Sequence, residues 1–132
     1  MKEIIIQSAE NLKLKRNELH KGLFYKDTVS AETALKSGIG VSQVMYEKMD
    51  PLGQVLPHIH DVGEIIYLIS GEVEVFNGKD WTYQKAGDTI VVPAGCIHSV
   101  KNIRDNICSE QVSYFIPMAL ENTNLKMTTT MM

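Results

Sequence analysis

From residue 39 onward, turn-forming residues interrupt the chain at intervals of about ten, and this spacing most constrains the fold. Short runs rich in β-branched and aromatic residues lie between the interruptions. Residues 41–48 make the first run, and Asp50-Pro51-Leu52-Gly53 is expected to end it by its turn chemistry. Residues 64–69 are a strongly apolar strand, and Ser70-Gly71 reads as a two-residue hairpin turn into residues 72–76. Asn77-Gly78 is the strongest short hairpin signal. Residues 81–83, 89–92, 98–100 and 111–116 follow as strands, with turns at Ala86-Gly87-Asp88 and Pro93-Ala94-Gly95. The pattern predicts an all-β sandwich or barrel, without internal repeat or domain linker.

The rest of the chain is less patterned. Residues 2–7, with three consecutive isoleucines, are expected to form a short strand. Residues 8–22 are polar and weakly helical at best. Residues 30–37 carry an N-cap serine and good helix formers, with Gly38 as a stop, so a turn or two of helix is expected there, the alternative being an irregular loop. The tail, residues 121–132, is polar and expected to fray.

Composition narrows the class. With 132 residues, 44% of them hydrophobic, the chain suits one domain with one core. A formal net charge of -3 gives no support for a nucleic-acid partner, which needs a basic face. Cys96 and Cys108 do not make a disulfide framework and are compatible with a reducing cytosol. No run approaches the roughly 18 apolar residues of a membrane span. The expectation is a cytoplasmic protein without membrane contact.

Three of the four histidines fall in two patches, His58-Ile59-His60 followed by Glu64, and His98 after Pro93-Ala94-Gly95. Residues two apart on a strand face the same side, so His58 and His60 can aim at one point. Three imidazoles and one carboxylate suit Mn, Fe, Co, Ni, Cu or Zn, whereas calcium would want more carboxylates. A divalent ion with one carboxylate keeps a formal charge of about +1, which favours an anionic or enolisable oxygen ligand. A six-coordinate ion would keep two positions open for substrate or dioxygen. The competing reading is a set of hydrogen-bonded structural histidines.

These residues resemble the cupin superfamily. Gly53, His58, His60, Glu64 and Gly71 match its first motif in order, although the spacing from Gly53 to His58 is one residue short. Gly87, Pro93, Gly95, His98 and Asn102 match every fixed position of its second motif. The resemblance implies a small jelly-roll β-barrel (a double-stranded β-helix) over residues 40–116, an N-terminal extension at 1–39 and a C-terminal tail at 117–132. It also implies metal-ligand positions at His58, His60, Glu64 and His98, and a homodimer, for which residues 2–7 would suit strand exchange. Cupins include dioxygenases, decarboxylases, isomerases, lyases, epimerases and non-catalytic binding modules.

The pocket must therefore decide the function. On the first run Val41, Gln43, Met45 and Glu47 share one face, and Val44, Tyr46 and Lys48 the other. On the last, Gln111, Ser113 and Phe115 oppose Val112, Tyr114 and Ile116. Alternation alone does not choose the cavity face, so Gln43 and Gln111 either bond a substrate or face solvent. Ile66 and Val100 are candidate apolar walls. Tyr46 and Tyr114 are candidate proton donors or ordinary aromatics. Cys96 reads as a small turn residue, and His20 is expected at the surface. With no second carboxylate or free histidine placed near the motifs, paired acid–base chemistry is disfavoured relative to metal-centred chemistry. The expected function is a divalent-metal-dependent enzyme on a small oxygenated molecule, dioxygenase-like first and isomerase or lyase second. The alternative is a non-catalytic module that binds a metal and a small ligand.

Overall fold

The short β-runs pair out of chain order. The computed structural model describes residues 3–117 and 129–132. Its strands are β1 (Lys15–Arg16), β2 (Lys21–Val29), β3 (Gln43–His60), β4 (Gly63–Ser70), β5 (Glu72–Phe76), β6 (Trp81–Lys85), β7 (Thr89–Val92), β8 (His98–Asn102), β9 (Ser109–Ile116) and β10 (Thr129–Met131). One helix, α1 (Ala31–Ser37), lies between β2 and β3. The strands form a single sheet in the order β6-β5-β8-β3-β9-β4-β7, with β2 and β10 also on β3 and β1 beyond β2. The sheet curls into a half-barrel of jelly-roll type, the all-β architecture expected.

β3 makes the curl. Its first half pairs with β9, from Gln43↔Phe115 to Met49↔Ser109. Its second half pairs with β8, from Gln54↔Lys101 to His58↔His98. Asp50-Pro51-Leu52-Gly53 lies between the two ladders. It does not end the strand, as its turn chemistry suggested, but bends it, with Leu52 at φ 59°. Gly53 is required there, because a Cβ would lie 2.9 Å from the carbonyl oxygens of Asp50 and Lys21. Asn102 holds the bend: its Nδ2 donates to the carbonyls of Met49 (3.3 Å), Asp50 (3.1 Å) and Ile107 (2.9 Å).

Ser70-Gly71 is likewise not a hairpin. β4 pairs with β7 and β9, while β5 pairs with β6 and β8, so these two residues carry the chain across the half-barrel. Gly71 sits at φ 95°, and a Cβ there would come within 2.8 Å of Ser109 Cβ. Asn77-Gly78 does form a hairpin, closed by Phe76↔Trp81 and by the Asn77 N–H on the Asp80 carbonyl.

The N-terminal expectations need correction. Residues 3–7 form no strand, and Ile4 and Ile6 are exposed, because β propensity without a partner ladder fixes nothing. Residues 8–22 are not weak helix; they hold a single 3-10 turn at Ala9–Asn11, then β1 and the start of β2. β2 joins the main sheet beside β3, and its Leu23 is fully buried. The helix matches its signals: Ser30 Oγ accepts from the Thr33 N–H, and Gly38 closes it in the left-handed region.

The tail expectation fails at its end. Thr129, Thr130 and Met131 pair with His60, Ile59 and His58, because β3 offers a free ladder edge. The part of the frayed stretch up to residue 128 lies outside the described residues. The core is Leu23, Met49, Val55, Ile66, Leu68, Val73, Val75, Val92 and Val100. Burying each such side chain is worth about 1.5–3 kcal/mol. No helix among the described residues is long and apolar enough to cross a membrane.

Candidate metal centre

Strand register brings four donors together. His58 and His60 share the inner face of β3, and both are buried. His98 opens β8 directly opposite His58, so the two meet as ladder neighbours, not from hairpins on opposite walls. Glu64 reaches in from β4. Their ligand atoms all lie within 4.8 Å of one another. His58 Nε2 is 2.9 Å from His60 Nε2, His98 Nε2 is 3.0 Å from Glu64 Oε1, and His60 Nε2 is 3.5 Å from the same oxygen.

The outer nitrogens decide what this cluster can hold. His58 Nδ1 donates to the Leu56 carbonyl at 2.6 Å, and His98 Nδ1 to the Cys96 carbonyl at 3.0 Å. A carbonyl only accepts, so the proton of each neutral ring sits on Nδ1 and Nε2 presents a bare lone pair inward. His60 Nδ1 faces Thr129 Oγ1 at 2.9 Å. Lone pairs and a carboxylate oxygen thus converge on one point, which calls for a cation, either a proton or a metal. Ligating histidines are commonly oriented in this way through their second nitrogen. The donor set fits a divalent transition metal.

The electrostatics agree in direction. Burial pulls His58 down to about 4, although the Leu56 carbonyl opposes it. Burial also acts to lower His98, but the Glu64 carboxylate outweighs it and raises that group. Burial acts to raise Glu64, but contact with His60 and His98 prevails and holds it well below the usual carboxylate range. The carboxylate is therefore ionised and ready to ligate.

A cavity of about 210 Å³ opens on the cluster. Gln43, Ile66, Val100 and Gln111 line it, so the odd-numbered face of the first and last runs looks inward. Tyr46 and Tyr114 do not, because alternation turns them outward. Tyr46 OH donates to Glu110, with the Lys26 ammonium 5.2 Å from its ring, and Tyr114 is 40% exposed. Cys96 is exposed in its turn, as read.

Four titratable residues that line the cavity were missed, Glu47, His20, Tyr25 and Asp27. Glu47 is only 6% exposed. Its Oε1 accepts from Gln111 Nε2 at 3.1 Å and from Ser113 Oγ at 2.7 Å. Burial, then the nearby Glu64, raises it to about 7, against those hydrogen bonds. His20, expected at the surface, also lines the cavity, its ring centroid 5.1 Å from that of His58. Its Nδ1 accepts from the Leu56 N–H at 2.9 Å, so the proton of the neutral ring is on Nε2. Burial brings it down to about 4. The expected shortage of acid–base groups is thus overturned. Parity with Gln43 carried the signal for Glu47. Nothing in the irregular stretch around His20 carried one.

Comparison with known proteins agrees with this fold. The family model described as a cupin domain matches residues 45–109. No curated protein sequence matches the chain. Among solved structures, a predicted oxalate decarboxylase from Thermotoga maritima is similar, with 21% identity, a TM-score of 0.75, and coverage of 86% of this chain and 99% of that one. The polyketide cyclase RemF from Streptomyces resistomycificus has 14% identity, a TM-score of 0.71, and coverage of 86% and 79%. Bacillus subtilis oxalate decarboxylase, described as having Mn(II) centres, has 18% identity, a TM-score of 0.69, and coverage of 87% and 30%.

Proposed function

This chain belongs to the cupin family, and from that premise we propose that it is a divalent-metal-dependent enzyme acting on a small oxygenated molecule. The observation that carries the proposal is the convergence of four buried donors within 4.8 Å, with His58 Nε2 on His60 Nε2, His98 Nε2 on Glu64 Oε1, and the Nδ1 protons of His58 and His98 tied to carbonyls. His58, His60, Glu64 and His98 would hold the ion. When bound, it supplies Lewis-acid charge at the cavity floor. At about 210 Å³ the cavity falls below the range of drug-sized sites, which supports a small substrate.

Of the two reaction classes open to such a site, proton transfer has the better support. Glu47 and His20 give the cavity groups that can hold or donate a proton, which favours isomerase or lyase chemistry. Dioxygenase chemistry rests on open coordination positions alone. A purely binding module would not need the buried carboxyl that Gln111 and Ser113 hold in the cavity. The similar structures named as oxalate decarboxylase and polyketide cyclase are consistent with an enzyme, and the Mn(II) centres make manganese the first ion to try.

Metal analysis of protein purified without chelator tests this reading. The expected result is about one divalent transition ion per chain, lost in a folded His58→Ala variant. Unchanged metal content in that variant, or none in either, would refute it. Oxygen uptake with turnover would return the dioxygenase reading to first place. A homodimer is part of the proposal, supported by the exposed Ile4 and Ile6 of the N-terminal segment. Light scattering at the mass of a single chain would exclude it.

A further inference from the structure

Among the described residues, Glu47 is the one fully buried carboxyl in the cavity that the candidate metal cluster does not use; Asp27, which also lines the cavity, is half-buried. Its surroundings are built around it. Glu47 lines the cavity, and the two hydrogen bonds it receives, from Gln111 and Ser113, both land on Oε1 and leave Oε2 without a partner among the described residues. Gln111 is 2% exposed, and among the described residues its own Oε1 has no hydrogen-bond partner. A buried amide that leaves its acceptor unmet, at a cost of about 1–3 kcal/mol, is oriented for its donor. That donor points at Glu47. Ser113 is fully buried and fixes the same oxygen. Two side chains on β9 therefore hold the β3 carboxyl in a single pose.

We propose that Glu47 is the catalytic base, that its Oε2 takes a proton from carbon, and that the substrate class is a small anionic carbonyl compound with an acidic C–H beside the carbonyl. The inference rests on the metal-dependent reading of the site. An ion at the cluster would give an anionic oxygen of the substrate a positive partner, and the small cavity limits the substrate's size. In the step, the C–H bond breaks and its proton forms an O–H bond with Glu47 Oε2. The electron pair left behind moves through the new C=C bond onto the carbonyl oxygen. Return of the proton to carbon restores Glu47 and consumes no oxidant.

The test uses the full chain loaded with Mn(II) and pyruvate as the probe, in D2O. Wild type should place deuterium on the pyruvate methyl carbon. Glu47→Gln keeps the volume and an oxygen for Ser113 and Gln111, and should lower that exchange at least about 100-fold. Its metal content and pyruvate affinity should stay within a few-fold of wild type, and Glu47→Asp should recover part of the exchange. Infrared spectra of the metal-free protein provide a second readout: a protonated-carboxyl band should disappear in Glu47→Gln. Equal exchange in the variant, or no exchange by metal-loaded wild type, overturns the inference. A wild type that binds no metal sinks the functional reading instead, and Glu47 is then judged by the infrared band, whose absence overturns its role as well.

Discussion

Thr129 Oγ1 lies 2.9 Å from His60 Nδ1, so a strand from the far C-terminal end of the chain supports a ligand position near its middle. The contact gives His60 Nδ1 a partner, as backbone carbonyls do for His58 and His98, and among the described residues it is the one hydrogen bond on that nitrogen's side of the ring, the Nε2 side facing His58 and Glu64. Thr129→Val keeps the shape and removes the hydroxyl. Metal affinity, measured by competition with a chelator, should fall about 10- to 100-fold, the usual effect of losing such a support. Thr129→Ser should stay close to wild type. Equal affinity in the valine variant would show that His60 is positioned by packing alone.

Asn102 links the second motif to the geometry of the first. Its amide donates to three carbonyls around the β3 bend, and its Oδ1 accepts the Arg104 N–H at 3.0 Å. Asn102→Ala leaves those buried groups without partners, and urea unfolding should show a loss of about 2–4 kcal/mol. The same bend sets where the second half of β3 runs, so metal affinity should fall as well. A variant with wild-type stability would mean that water replaces the amide.

The metal donors were legible because the signal is local. His58 and His60 share a face by strand parity, and Glu64 and His98 follow glycine and proline turns that fix the register. The face of the first and last runs was not legible, because alternation yields two sets and no sign. Only the curl of the sheet makes Glu47 an inner residue and Tyr46 an outer one. Turn chemistry was read correctly but its outcome was not: Asp50-Pro51-Leu52-Gly53 bends a strand, and Ser70-Gly71 crosses between strands that never pair. Both outcomes depend on partners distant in sequence, Asn102 in one case and Ser109 in the other. His20 and Thr129 lie in stretches with no periodic pattern, and only tertiary pairing brings them to the site.

The outward tyrosines give a control. Tyr46 bonds Glu110 on the outer face, and burial, then that contact, raises its hydroxyl well above the ordinary range. Tyr46→Phe should cost about 1 kcal/mol of stability. Tyr114→Phe should cost less, because the ring is already substantially exposed. Neither should change metal affinity or deuterium exchange into pyruvate. A loss of exchange with intact folding would mean that one of these rings reaches the cavity in the working protein.

Glu47 should also leave a mark on stability in the metal-free protein. Its folded pKa of about 7 lies above the ordinary 4.5, so the fold binds this proton more tightly than the unfolded chain does. The resulting stability is fully present below 4.5 and is lost as pH rises through about 7. Between about pH 5 and pH 8 the loss approaches an upper bound of about 3 kcal/mol, taking each pKa unit as about 1.4 kcal/mol. His20 and His58 act in the opposite sense, since both are held near 4 and the fold loses stability as pH falls from 6.5 toward that value. They are common to wild type and Glu47→Gln and cancel in the comparison. Urea unfolding with chelator present should therefore show Glu47→Gln gaining on wild type as pH rises. A constant gap between the two proteins across that range would mean that Glu47 ionises as an ordinary carboxyl.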